Sequence, residues 1–372
     1  MYYFDHSATT PLLPEITKLM NNINEEVYGN PSSVYSLGRR SRNVIETARS
    51  QVARSISAKP DQIIFTSGGT ESNNQVFWSL LNSRRNHIVS NVIEHPAVVR
   101  VLQFLNQFGL IHDLVGVDAD GIVSIDKIEN AILPETALIS IMLANNEIGT
   151  LQPVKEIVEI ANKKGILVHT DAVQCIGKME LDVIDLGVDF LSLSAHKFYG
   201  PKGIGALFIK DPKTLPSLII GGGQEKNRRA GTENISAIAG MGLAAENSIK
   251  SLTKKINTLL RLEKKFKKGL NKFYKSAILN GDQSKKLPGL LNISFPGTKS
   301  GMLMKKLDRE GISVSNGSAC GSGDIKPSPV LSAIGLDDIT NLSTLRFSFG
   351  SSNTNDQIDY LLSKLESMLS ET

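Results

Sequence analysis

The chain has 372 residues, enough at roughly 150 residues per domain for about two domains with a sizeable core. Its 41% hydrophobic and 21% charged residues are ordinary globular usage, which excludes disorder, collagen and coiled-coil rods. The net charge is only +4, and much of the basic excess falls between Lys254 and Lys275, so a nucleic-acid surface is not indicated.

The elements follow in chain order. Leu13, Ile16, Leu19, Met20, Ile23 and Val27 make an apolar helix stripe with Pro14 suited to its first turn, and Val44, Ile45, Ala48, Val52 and Ile56 make a second. Compact apolar runs come between and after them: Ile63 to Phe65, Ile88-Val89, Leu138 to Met142, Ile166 to Val168, Phe190 to Leu193, and Ile204 to Ile209. This alternation predicts an α/β fold, a mostly parallel sheet wrapped by helices. A long stripe from Leu243 to Leu270 (Ile249, Leu252, Ile256, Leu259, Phe266, Leu270) predicts a connecting helix. Beyond it come strands at Leu290 to Phe295 and Leu345 to Phe349, and helices near Met302 to Leu307 and from Asp356 to Leu369, as in a smaller α+β unit. The expected division is a large domain over residues 15–249 and a small C-terminal domain over 250–372, with segment 1–14 packed near the latter.

Two cysteines, Cys175 and Cys320, allow neither a disulfide framework nor a zinc module. No basic stretch followed by an apolar one opens the chain, and no uncharged run reaches the ~18 residues of a membrane span. A cytoplasmic location is expected, in which a bond between the two cysteines is disfavoured.

In open parallel sheets ligands bind beyond the carboxyl ends of the strands, so polar residues after apolar runs come first. Phe65-Thr66-Ser67-Gly68-Gly69-Thr70-Glu71 leads from a strand through glycines into a helix, a place for an anion on backbone N–H groups. The Walker pattern is absent, and alone this is an ordinary strand-to-helix turn. Asp171 and Gln174 follow another run, where a lone Asp is equally a helix cap. Lys197 follows a third in Ser194-Ala195-His196-Lys197, where an amine nucleophile could form a Schiff base although most lysines are merely solvated. Cys320 lies in the Gly/Ser-rich Ser315-Asn316-Gly317-Ser318-Ala319-Cys320-Gly321, out of character for a small core residue. Cys175 reads as a buried small residue.

An anion cradle, a carboxylate and a lysine at successive strand ends are what pyridoxal phosphate requires. The sequence resembles the fold-type I, class V aminotransferase-like enzymes, and within them the cysteine desulfurases. The resemblance runs through Asp5 to Pro11, Gly29 to Ser33, Ser67 to Asn73, Glu94-His95, Asn145 to Gly149, Asp171 to Gln174, Ser194 to Lys197, Arg229 to Asn234 and Gly317 to Cys320. It implies pyridoxal 5'-phosphate as cofactor, with Lys197 as the Schiff-base lysine, Asp171 on the pyridinium nitrogen and His95 stacked on the ring. It further implies Asn146 and Gln174 near the phenolic oxygen, and Gly69, Thr70, Ser194 and His196 on the phosphate. Thr232 would join them from a second subunit, hence a homodimer.

Asn146 and Arg346 would bind the L-cysteine substrate, Arg346 through its carboxylate. Lys197, His95 and Cys320 are the implied catalytic residues, with Cys320 receiving sulfur as a persulfide and passing it to an acceptor protein, a cluster-assembly scaffold or a thiolation enzyme. No resident metal is implied, although Cys320 could transiently ligate a nascent iron–sulfur cluster. Alternatives are a selenocysteine lyase, a cysteine sulfinate-directed relative and, in another class, a partner-binding protein that keeps the fold without turnover. Two departures from the family pattern stand out: Val34-Tyr35 where many relatives carry a histidine, and a stretch from Cys320 to Pro327 that resembles the long-loop group.

Overall fold

A computed structural model describes residues 1–212, 215–316 and 326–370. Seven strands form one sheet in the order Ile63–Thr66, Gly205–Ile209, Phe190–Ser194, Leu167–Asp171, Thr136–Ser140, His87–Asn91 and Ile111–Val115. All its pairings are parallel except the two made by Gly205–Ile209, as the apolar runs predict for an α/β fold. Strands buried on both faces read as unbroken apolar runs, which is why most were legible. Ile111–Val115 was not: it is an edge strand with Ile111 54% exposed, and its polar His112 and Asp113 break the run.

Pro14 opens the helix Pro14–Glu26, where its missing N–H costs nothing. The helices Ser36–Arg54 and Ile235–Lys250 pack closely, because a Cβ on Gly242 would lie 2.6 Å from Ala48 Cα. The long stripe predicted from Leu243 to Leu270 is two helices, Ile235–Lys250 and Leu252–Phe273. Ser251 breaks it with φ −120° and ψ 16°, its hydroxyl bonding back to the Asn247 carbonyl at 2.8 Å, the competition with backbone that makes serine a poor interior helix residue.

A second, three-stranded antiparallel sheet (Thr344–Ser348, Leu290–Ser294, Ile278–Asn280) packs under Leu252–Phe273 and Asn355–Ser370. Its core holds Phe266, Phe295, Phe347 and Phe349, each contributing roughly 1.5–3 kcal/mol relative to exposure. Phe4 joins that core from the far end of the sequence, and Tyr2–Tyr3 pairs in parallel with Ile312–Ser313. No helix among the described residues is long and apolar enough to cross a membrane.

His169, in the centre of the large sheet, is buried with its ring bonded to Ser140 Oγ (2.8 Å) and Ser192 Oγ (3.0 Å). Burial lowers its pKa to about 3, so between the unfolded value of 6.5 and that point the unfolded chain takes up a proton the folded chain refuses. This stabilisation is complete above pH 6.5 and is lost as pH falls toward 3, at about 1.4 kcal/mol per pH unit. The thermal midpoint should therefore drop between pH 7 and pH 5, and His169→Asn should flatten the drop. Equal slopes in both proteins would show that His169 is not responsible.

Candidate functional site

The strand ends Thr66, Asp171 and Ser194 all point to one edge of the large sheet. Thr66 and Ser194 are both paired with Gly205, and Asp171 is paired with Ser192 two residues before Ser194. Gly205 lets the next turn fold over the edge: a Cβ there would lie 2.6 Å from Gly68 Cα and 2.5 Å from the Leu193 carbonyl. Gly68 (φ 157°) then starts the helix Gly69–Trp78 directly over Val173 and Ser194, a Cβ on Gly69 falling 2.6 Å from Val173 Cγ2 and one on Gly68 falling 3.7 Å from Ser194 Oγ. The first N–H groups of this helix have no partner within it. Thr70 and the Ser194 hydroxyl stand at the same end, which makes it an anion cradle. Glu71, the acid in that turn, is drawn aside by Arg229 (2.9 Å) and the Ser67 N–H (2.7 Å), which hold its carboxyl below the usual range despite burial.

Asp171 is 7% exposed, its Oδ1 accepting from the Val173 N–H (3.0 Å) and its Oδ2 from Asn73 Nδ2 (2.8 Å). His95 caps the helix Pro96–Leu105 by accepting the Ala97 N–H on Nδ1 at 3.1 Å, which leaves Nε2 as the protonated nitrogen of the neutral ring. Burial lowers its pKa, with Lys197 adding to the effect and Asp171 opposing it. The ring is therefore neutral at physiological pH.

Lys197 follows Phe190–Ser194 at the end of a single turn, and its Nζ donates to the Ser7 carbonyl at 2.7 Å and the Ala8 carbonyl at 2.8 Å. Burial first, and then the nearby Arg346, lower its pKa to about 8, against the opposing pull of Asp171 and Asp5. A substantial neutral fraction is thus available near pH 7.5 for attack or proton uptake. Segments 9–10 and 196–199 are stapled together: Thr10 N–H donates to the His196 carbonyl (2.8 Å), Thr10 Oγ1 accepts from the Tyr199 N–H (2.6 Å), and His196 Nδ1 meets Thr9 Oγ1 (3.1 Å). Tyr199 takes φ +69°, a left-handed turn held by that staple.

Arg346 is 3% exposed and bonds Asp5 Oδ1 at 2.6 Å through Nη2 and the Asn146 carbonyl at 3.0 Å through Nη1, while its Nε has no partner. Gln174 donates from Nε2 to the Ser7 carbonyl at 3.0 Å. Lys197, Gln174, Arg346 and Asn146 are thus tied together through segment 5–8. Thr232 is exposed, two residues before the Asn234 cap of Ile235–Lys250.

Cys320 lies outside the described residues. The chain on either side of it is anchored at the site: Ser315 exchanges backbone bonds with Arg346 (2.6 and 3.2 Å), and Ser328 Oγ donates to Glu147 Oε2 at 2.6 Å, next to Asn146. Cys175 is buried, which pushes its thiol well above the usual range and makes it inert. No cluster of His, Cys, Asp and Glu among the described residues could hold a metal.

Four contributors had no sequence signal that marked them individually: Asp5 on Arg346, Asn73 on Asp171, Lys178 on Gln174 Oε1 (3.0 Å), and Glu225. Glu225 forms a buried two-pronged pair with Arg49 (2.7 Å on both arms) and accepts the Phe65 N–H at 2.9 Å. It begins a run of three left-handed residues, Glu225 to Asn227.

Residues 2–361 match the family model of class-V aminotransferases. The cysteine desulfurase IscS of Dictyoglomus turgidum is 44% identical over 370 residues, covering 99% of this chain and 94% of the relative. The mitochondrial cysteine desulfurase of Saccharomyces cerevisiae is 39% identical over 366 residues, 97% of this chain and 73% of the relative. Among solved structures, a NifS-like protein superposes with a TM-score of 0.94 at 36% identity over 100% of both chains, and SspA in complex with cysteine with 0.84 at 33% over 95% of this chain and 100% of that one.

Proposed function

The chain belongs to the class-V aminotransferase family, and on that premise we propose that it is a pyridoxal-phosphate-dependent cysteine desulfurase. It converts L-cysteine to L-alanine, leaves the sulfur as a persulfide on Cys320, and hands it to an acceptor thiol in iron–sulfur cluster assembly. The observation that carries this reading is the placement of a buried amine of lowered pKa, a buried carboxylate and a helix N-terminus at neighbouring strand ends of one sheet.

The residues fit the cofactor. Gly68 and Gly69 leave room that a Cβ would fill, and with Thr70, Ser194 and His196 they would hold its phosphate. Asp171, fixed on both oxygens, would pair with the ring nitrogen, His95 would lie on the ring, and Asn146 and Gln174 would approach its phenolic oxygen. When bound, pyridoxal phosphate supplies the electron sink that loosens bonds at the amino-acid Cα and Cβ.

The protein's own groups do the rest. Lys197 Nζ, held by two carbonyls and with its pKa lowered by burial to about 8, would hold the cofactor aldehyde and would exchange the substrate Cα proton. Arg346 presents a planar fork to the substrate carboxylate, already oriented by Asp5 and Asn146. The Cys320 thiolate takes the substrate sulfur: an S–S bond forms, the C–S bond breaks, and its electron pair stays on carbon, which is reduced to a methyl group. The net change is cysteine plus a thiol giving alanine plus a persulfide, with atoms and charge balanced. Thr232, exposed ahead of its helix, serves the phosphate site of a partner subunit in a homodimer.

The test is to incubate purified protein, loaded with pyridoxal phosphate, with L-cysteine and to quantify free alanine and protein-bound sulfane sulfur. Equal amounts at one turnover are expected. Alanine from selenocysteine or cysteine sulfinate but none from cysteine would overturn the substrate assignment.

A further inference from the structure

The two ends of the Gln174 amide are each committed. Oε1 accepts from Lys178 Nζ at 3.0 Å, and Nε2 donates at 3.0 Å to the Ser7 carbonyl, which also accepts from Lys197 Nζ at 2.7 Å. Lys178, Gln174, Ser7 and Lys197 therefore form one hydrogen-bonded chain ending at the reactive amine. An ammonium only donates, so a flipped amide would set its NH2 against the donors of Lys178 and its carbonyl oxygen against that of Ser7. The sense of the amide is dictated from both ends, by the Lys178 donor on one side and the Ser7 acceptor on the other.

Lys178 is placed there at a cost. The charged groups facing it are Lys197 and Arg346, both repulsive, and the Cys175 thiol, which burial keeps neutral. Its charge also reaches His6, which lines with it and Lys197 a cavity of about 20 Å³ and whose two ring nitrogens are buried without partners. Part of the Lys178 side chain remains accessible, yet crowding around its ammonium and the like charges lower its pKa to about 7. An ammonium set against two like charges is an unfavourable way to fill space.

We propose that Lys178 is a positioning residue that holds the Gln174 amide so that an N–H, rather than a carbonyl, faces the side of the pocket where Lys197 Nζ lies. The inference rests on the desulfurase reading, in which Gln174 reaches the phenolic oxygen of the cofactor. A donor at that position favours the ionised phenol, and a carbonyl would oppose it.

The experiment uses holoenzyme without cysteine and follows the visible absorbance of bound pyridoxal phosphate against pH. Lys178→Met should move the midpoint of that titration upward and speed cofactor release about tenfold, the worth of one hydrogen bond to a charged group. Lys178→Arg, which keeps a donor, should restore both. In a Gln174→Ala background Lys178→Met should add nothing, because the two residues act as one. Lys178→Leu, a second replacement without a donor, is measured alongside in case the methionine variant does not fold, with the same upward shift expected. An unmoved midpoint, or an equal shift in the Gln174→Ala background, would overturn the proposal while leaving the desulfurase reading intact. A wild-type protein that acquires no chromophore from pyridoxal phosphate would overturn both.

Discussion

Lys197→Ala is expected to reduce alanine formation from cysteine by on the order of 10⁴-fold or more, because in the proposed mechanism one side chain supplies both covalent capture of the cofactor and the proton exchange at Cα. The Ala8 carbonyl loses its side-chain donor in this variant while the Ser7 carbonyl keeps Gln174, a cost of about 1–3 kcal/mol that leaves a well-packed chain folded. The anion cradle and Asp171 are untouched, so non-covalent cofactor binding should persist. Assignment to Lys197 is checked by borohydride reduction of the wild-type holoenzyme followed by peptide mass mapping. The structure makes this a sharp test, since Lys178 places a second amine of lowered pKa beside the same cavity. A pyridoxyl group on Lys178 would sink the assignment. A Lys197→Ala protein that still released alanine at a tenth of the wild-type rate would do the same.

Cys320→Ser should leave cofactor binding and the first spectral response to cysteine intact while reducing sulfur transfer and alanine release to background. A serine hydroxyl is scarcely ionised near neutral pH and is a poor nucleophile toward sulfur, so it can neither accept the sulfane atom nor pass it on. Cys175→Ser is the matched control: that thiol is buried, held neutral and absent from the proposed reaction, so its loss should affect stability alone. Persulfide mapping after a stoichiometric pulse of cysteine decides between them. Sulfur found on Cys175, or undiminished alanine from Cys320→Ser, would exclude the mechanism and favour a simple lyase.

The parts of the site that could be read from the sequence are those whose chemistry is local. A strand followed by Gly68-Gly69, an acid at the end of an apolar run and a lysine before a Gly/Pro turn each announce themselves within ten residues. What was hidden depends on pairing between distant segments. Asp5 meets Arg346 across 341 positions, and Glu225 meets Arg49 across 176, with nothing in either neighbourhood to single out its partner. Lys178 is one of many lysines until the fold brings its ammonium to an amide. The same holds for the fold: buried strands were legible as apolar runs, whereas the half-exposed edge at Ile111–Val115 and the break at Ser251 follow from neighbours and from one hydroxyl.

The junction of residues 2–8 with residues 311–348 sets an order of events during folding. Phe4, Asp5 and Ser7 precede the large sheet in the sequence, yet their partners Ser313, Arg346 and Ser348 follow it, and Phe4 must wait for the aromatic core that those later strands complete. The large sheet can assemble on a nascent chain, since its strands lie within residues 63–209. The carbonyls that hold Lys197 are carried by a segment fixed from two sides, by Gln174 and residues 196–199 of the large-sheet region and by Arg346 and Ser348 beyond it. Until Arg346 and Ser348 are in place, the segment that presents its carbonyls to Lys197 has only its contacts to Gln174 and residues 196–199.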